Sequence, residues 1–274
     1  MNKIKFLTLL TLSVGIALPA FAQSLPSGNN KDPIEITANE TLEWHRNDNK
    51  FIARSNAKAK QGNVSIESET LTADYREGAG SDLEIYKMKA VNNVVITSRE
   101  NRAYGEEANY DVDHGLAIMT GDNLKMTAPD QTVTARDKFE YWVTDGRIVA
   151  LGDAKIVRPK PTGGTDTLRA DKISGLLKEN EKGERVLHSM EAISNVIITT
   201  PTETVTGAYG IYKADTNKAE ITGNVIIKRG PNVLEGERAE VDMNTNTSRM
   251  FGSEKTGGQV RGVFYPSSEQ KEGE

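Results

Sequence analysis

Two short patterns recur in fixed order along this chain, and their spacing constrains the fold more than any other feature. The first is a small or polar pair ending in Asn or Asp, followed by alternating apolar residues. It occurs as Ser55-Asn56-Ala57-Lys58-Ala59, Asn92-Asn93-Val94-Val95-Ile96 and Asp122-Asn123-Leu124-Lys125-Met126. It returns as Gly152-Asp153-Ala154-Lys155-Ile156, Ser194-Asn195-Val196-Ile197-Ile198 and Gly223-Asn224-Val225-Ile226-Ile227. The second pattern is an apolar residue, any residue, then Ala, Gly or Ser. It appears at Ile66/Ser68, Ala103/Gly105, Val133/Ala135, Leu168/Ala170, Val205/Gly207 and Leu234/Gly236, with an unpaired copy at Ile36/Ala38. From the Asn or Asp to the apolar residue of the second pattern is 10 residues in five copies of six. The exception, Asp153 to Leu168, spans 15 and contains Pro159-Lys160-Pro161-Thr162-Gly163-Gly164, which reads as a loop insertion. Turn residues such as Ala128-Pro129-Asp130 and Arg229-Gly230-Pro231-Asn232 lie between the halves, so each copy describes a β-hairpin. Successive copies lie 37, 30, 30, 42 and 29 residues apart, which makes six hairpins in a row. A lone hairpin buries little, so each must lie on its neighbours, giving an all-β stack open at both ends.

Parity assigns the faces. Counted from the Asn or Asp, apolar or small residues fall at −5, −3, +1 and +3, as in Phe51, Ala53, Ala57, Ala59 and in Met88, Ala90, Val94, Ile96. The fourth copy repeats this with Ile148, Ala150, Ala154 and Ile156. Side chains alternate across a strand, so these positions share one face if the strand runs through. Position −1 would share it but holds Ser, Asn, Asp or Gly, which predicts a bend or bulge there. Val95, Ile197 and Ile226 break the polar rule of the opposite face, and parity leaves their packing open. The charged run Lys178 to Arg185 reads as a solvated loop, and Pro33-Ile34-Glu35-Ile36 as an edge strand.

The N-terminus points to export. A basic start with Lys3 and Lys5 precedes an apolar run from Phe6 to Leu18 and an A-x-A signal at Ala20 and Ala22. Residues 1–22 are therefore expected to be a signal peptide cleaved between Ala22 and Gln23, with an uncleaved anchor as the alternative. The body is expected to span 23–266, followed by a disordered tail at 267–274. Cysteine is absent, which rules out disulfides, thiolate metal sites and cysteine nucleophiles together. The net charge is −5, with no basic tract, a poor match to nucleic acid.

Catalysis finds no foothold, and no cofactor is implied. His45, His114 and His188 share neither a repeat position nor metal-ligand spacing. The corner Asp and Asn residues are explained by turn chemistry. Calcium at stacked corners is the sharper alternative, weakened by the neutral copies at Asn93, Asn195 and Asn224. No glycine-rich phosphate loop or nucleophile elbow occurs.

Several segments together resemble the lipopolysaccharide-transport protein A (LptA, or OstA-like) family. The N-terminal Asp32-Pro33-Ile34-Glu35-Ile36-Thr37-Ala38-Asn39 is similar to the start of the family's mature chain. The hairpin from Asn56 to Tyr75 follows at the family's distance, and Ile221-Thr222-Gly223-Asn224-Val225-Ile226-Ile227 resembles its recurring strand. The segment Val260-Arg261-Gly262-Val263-Phe264-Tyr265-Pro266-Ser267-Ser268 is similar to its ending. The loop at 159–164 and the stretch 178–185 depart from it.

The resemblance implies a twisted, V-shaped β-jelly roll whose apolar interior takes the acyl chains of lipid A. It also implies a periplasmic, non-enzymatic protein that stacks head to tail with its own copies. Such a stack would bridge an inner-membrane transporter-bound OstA-like partner to an outer-membrane β-barrel assembly protein. The expected lipid-lining residues are Ile34, Ile36, Phe51, Val94, Ile96, Leu124, Met126, Ile156, Val196, Ile198, Val225 and Ile227. The same twelve also fit an ordinary core that fills the seam. Two rivals stay open: a structural or adhesive β-solenoid without ligand, and a solenoid carbohydrate-active enzyme with clustered carboxylates.

Overall fold

The computed structural model describes residues 32–265, apart from 79–82, 162, 182, 246 and 254–257. The expected signal peptide, its Ala22/Gln23 junction and the tail at 267–274 lie outside the described residues. Within them the chain is all-β. The first strands are β1 (Glu35–Thr37), β2 (Thr41–His45), β3 (Lys50–Gln61), β4 (Val64–Glu77), β5 (Leu83–Ser98) and β6 (Asn101–Asp111). The middle of the chain supplies β7 (Leu116–Thr120), β8 (Leu124–Ala128), β9 (Gln131–Ala135), β10 (Lys138–Trp142), β11 (Arg147–Pro159) and β12 (Thr165–Glu179). The last are β13 (Arg185–Thr199), β14 (Thr204–Lys213), β15 (Lys218–Arg229), β16 (Asn232–Asp242), β17 (Thr247–Phe251) and β18 (Arg261–Val263).

All six expected hairpins form, and they share one register. The +1 residue of each first pattern pairs with the small residue of the second: Ala57 with Ser68, Val94 with Gly105, Leu124 with Ala135, Ala154 with Ala170, Val196 with Gly207 and Val225 with Gly236. The small residue is a steric requirement. A Cβ on Gly207 would stand 2.5 Å from Ile221 Cγ2, and one on Gly105 2.6 Å from Met119 Cγ.

The Asn/Asp pair folds each long strand over a corner. In five copies both residues of the pair have positive φ, for example Ser55 at 66° and Asn56 at 45°, or Gly223 at 84° and Asn224 at 51°. Asn, Asp and Gly tolerate that conformation best, which is why they recur there. Pairing skips the corner, as between Arg54 and Ala57 or Ile193 and Val196, so the expected bulge is present. The corner divides the stack into two antiparallel layers. The first runs β2-β3-β4-β5-β6-β7-β10-β11-β12-β13-β14-β15-β16-β17. The second runs β1-β3-β4-β5-β6-β8-β9-β11-β12-β13-β14-β15-β16-β18. One apolar cluster joins them along the whole stack, from Ala53 to Val241.

Three sequence readings need correction. In the third copy the strand breaks into β7 and β8 at Gly121, Asp122 and Asn123. Three residues instead of two leave the ladder, so the inward column shifts by one: Met119 is buried while Ile118 and Thr120 are half-buried. The N-terminal edge strand starts at Glu35, leaving Pro33 and Ile34 ahead of it. The charged stretch at 178–185 is only in part a loop, because β12 ends at Glu179 and β13 begins at Arg185. Arg185, at the outer end of the first layer, donates to the Tyr141 hydroxyl at 2.7 Å and to the Val143 carbonyl. The loop expected at 159–164 is present but one residue shorter, because Pro159 still belongs to β11 and pairs with Thr165.

Candidate functional site: an apolar seam between the layers

Inward positions of the first half of the stack alternate large and small side chains. Ala90, Ala103, Ala108 and Ala117 stand among Met88, Ile96, Tyr110, Met119, Met126, Phe139 and Tyr141, and the small ones leave room. The result is a cavity with about 760 Å³ of atom-free space, its open mouth included. Ile66, Ile96, Ala103 and Met126 line it from the second layer, and Leu71, Met88, Tyr110, Met119, Phe139 and Ile148 from the first. A shallow recess, about 240 Å³ with its open solvent included, shares Val64, Ile66 and Met88 with it and reaches Ile34 at the N-terminal edge. The apolar interior thus continues toward the end of the stack capped by β1 and β2. There Leu42 and Trp44 are 55% and 49% exposed, because no further described strand covers them.

The few polar groups in the walls are occupied elsewhere. Lys89 pairs with Glu107 at 3.1 Å, and Glu140 with Lys138 at 2.7 Å. Glu107 also accepts from Asn109 at 2.7 Å. Burial pushes the Tyr110 hydroxyl up to about 12, and burial does the same for Tyr141 against the opposing pull of Arg185. Such an environment favours hydrocarbon over charge.

The structure separates the twelve expected lining residues into groups. Ile96 and Met126 line the main cavity, and Ile34 lines the recess. Ile36 and Phe51 pack half-buried against the core near the N-terminal edge. Val94, Leu124, Ile156, Val196 and Val225 are at most 1% exposed and wedge the layers together near the corner. Ile198 and Ile227 are buried in the second half of the stack. Most of the wall was not anticipated, because first-layer residues such as Leu71, Met119, Phe139 and Tyr141 lie outside the two patterns. The alternation Phe139/Tyr141 within Lys138–Trp142 carried that information. Of the three exceptions on the outer face, Val95 and Ile226 are half-buried and Ile197 is 36% exposed.

The histidines sit in local polar contacts away from the cavity: His45 on Glu43 at 2.6 Å, His114 on Asp111 at 2.9 Å and His188 on Lys178 at 3.0 Å.

The sequence matches one family model twice, over residues 35–146 and 136–247; its description is "LptA/(LptD N-terminal domain) LPS transport protein". Each span holds three of the six corners. The spans start 101 residues apart, and Met88/Met190, Val94/Val196, Ile96/Ile198, Gly105/Gly207 and Tyr110/Tyr212 recur at an offset of 102. No curated protein matches. Among solved structures, the chain is similar to LptH, the LptA homologous periplasmic component of the lipopolysaccharide transport device from Pseudomonas aeruginosa. Identity is 10% and the TM-score 0.22, with 88% of this chain and 100% of that one covered. With two matched spans that together run from Glu35 to Thr247, the chain belongs to the LptA/LptD N-terminal-domain family of lipopolysaccharide-transport proteins.

Proposed function

We propose that this chain binds the acyl chains of lipopolysaccharide in the seam between its layers and conveys the lipid across the periplasm. The observation that carries the reading is the apolar cavity of the first half and its continuation to Ile34 at the N-terminal edge. Each methylene moved from water into such a space gains about 0.8 kcal/mol, while the sugars stay in solvent. The described edge strands leave one side free at each end, β1 and β2 at one, β17 and β18 at the other. Free edges accept a further strand, which supports head-to-tail stacking with its own copies and with OstA-like partners at the two membranes. The sequence of residues 1–22 supports export to the periplasm.

In-cell photo-crosslinking tests this directly. A photoreactive residue in place of Ile96, a cavity wall, is expected to yield a lipopolysaccharide adduct, and one at the outward Val95 little or none. Absence of adducts at both sites, in an exported and folded protein, would leave a structural β-solenoid without ligand.

A further inference from the structure

Strand β9 presents alternate residues to the seam: Gln131, Val133 and Ala135 are buried, and Thr132 and Thr134 only half-buried. Gln131 is 3% exposed, yet neither its Nε2 nor its Oε1 has a hydrogen-bond partner among the described residues. Leaving a carboxamide buried in that state forfeits the hydrogen bonds it made to water. Two other amides near the rim each make at least one hydrogen bond. Gln61 Nε2 donates to the Asp32 carbonyl at 2.8 Å. Asn232, which stands 101 residues after Gln131, accepts the Tyr265 backbone N–H at 2.9 Å.

Gln131 also occupies a particular place. Its ladder partner is Ala128, one inward step beyond the cavity residue Met126, whose own partner is Val133. Its strand turns the corner at Arg136 and Asp137 into β10, which brings Phe139 and Tyr141 to the cavity wall. Gln131 is not itself a lining residue; it lies one inward step along the β8–β9 ladder from Met126, which is, so a chain extended past Met126 would reach it.

We infer that the Gln131 carboxamide is a polar contact for the amide linkage of an N-acylated sugar whose chain lies in the cavity. This rests on the acyl-binding reading above. A carboxamide donates through Nε2 and accepts through Oε1, and the trans amide of an N-acyl sugar can meet either atom, its N–H donating to Oε1 or its C=O accepting from Nε2. An ester satisfies only the donor. Gln131 would thus set how deep the chain is seated and favour N-linked over O-linked acyl groups.

The test compares the full chain with Gln131→Leu, and with Gln131→Met should the first fold poorly. Three probes are titrated: pyrene, which has no polar atom, N-palmitoyl glucosamine and O-palmitoyl glucose. Gln131→Leu is expected to raise the midpoint of thermal unfolding by about 2–4 °C, since it removes an unsatisfied buried amide. It is expected to weaken N-palmitoyl glucosamine roughly tenfold, O-palmitoyl glucose less, and pyrene not at all. Unchanged affinity for N-palmitoyl glucosamine with pyrene still bound would overturn the Gln131 assignment alone. Failure of the unaltered chain to bind any of the three would overturn the acyl-binding reading and this inference with it.

Discussion

Ile96 and Ala103 face each other across neighbouring strands and both line the cavity, so the free space at that level depends on how small Ala103 is. Its counterpart in the second family span, 102 residues on, is Val205, buried at 3% exposure. Ala103→Leu is therefore expected to fill the cavity. Unfolding in urea should show a change within about 1–2 kcal/mol of the original protein, because the added methylenes enter space that already exists. Binding of an acyl probe should fall at least tenfold in the same protein. A filled, folded variant that still binds would place the chains elsewhere.

The hairpins and the corners were legible because each rests on a local rule: turn residues at a fixed offset between the halves, and Asn, Asp or Gly where φ is positive. The site was only partly legible. Ile96, Met126 and Ile34 were identified, but Val94 and Val196, which look identical in the pattern, are packed shut near the corner. Whether an inward residue lines space or fills it depends on the side chain opposite in the other layer, and strand periodicity carries no information about that partner. The tandem organisation was present in the spacings of 37, 30, 30, 42 and 29, in which the long intervals follow the first and fourth corners.

Gly207 tests the convergence of the layers. A methyl group added there would lie 2.5 Å from Ile221 Cγ2 and 3.2 Å from the Thr222 carbonyl oxygen, so Gly207→Ala is expected to cost about 1–3 kcal/mol of unfolding free energy. Gly230→Ala meets no such neighbour, but its φ of 55° strains a Cβ, so its loss should stay near about 1 kcal/mol. Urea denaturation of the two variants side by side separates crowding from backbone strain.

The corners make the opposite prediction. Ser194 holds φ at 63°, a conformation that costs a residue with a Cβ about 1 kcal/mol, whereas the fourth and sixth copies place Gly152 and Gly223 there. Ser194→Gly is expected to stabilise the protein by a few tenths of a kcal/mol to about 1 kcal/mol, with part of the relief offset by the freer unfolded chain. Ser194→Val, at the same corner, should lower stability by more than that gain. Thermal unfolding midpoints that fail to move in opposite directions would show that the corner is not held by this backbone conformation.

Alkaline pH reports on the cavity itself. Burial raises the Tyr110 hydroxyl from 10.0 to about 12, and Tyr110 is 4% exposed. A group whose folded pKa lies above its unfolded one stabilises the fold fully below the unfolded value and loses that contribution as pH rises toward the folded value. Stability is therefore expected to be insensitive to Tyr110 below pH 10 and to fall between about 10 and 12, by at most about 1.4 kcal/mol per pH unit from this residue. Tyr141, raised to about 12 by burial against the opposing pull of Arg185, adds a similar slope. Urea unfolding of Tyr110→Phe across this range should show a shallower decline than the original protein, with the two curves parallel below pH 10. If a bound acyl chain fills the cavity, it keeps water from both hydroxyls, and the decline should begin at higher pH in the presence of lipid. An unchanged onset with lipid bound would place the acyl chains away from Tyr110 and Tyr141.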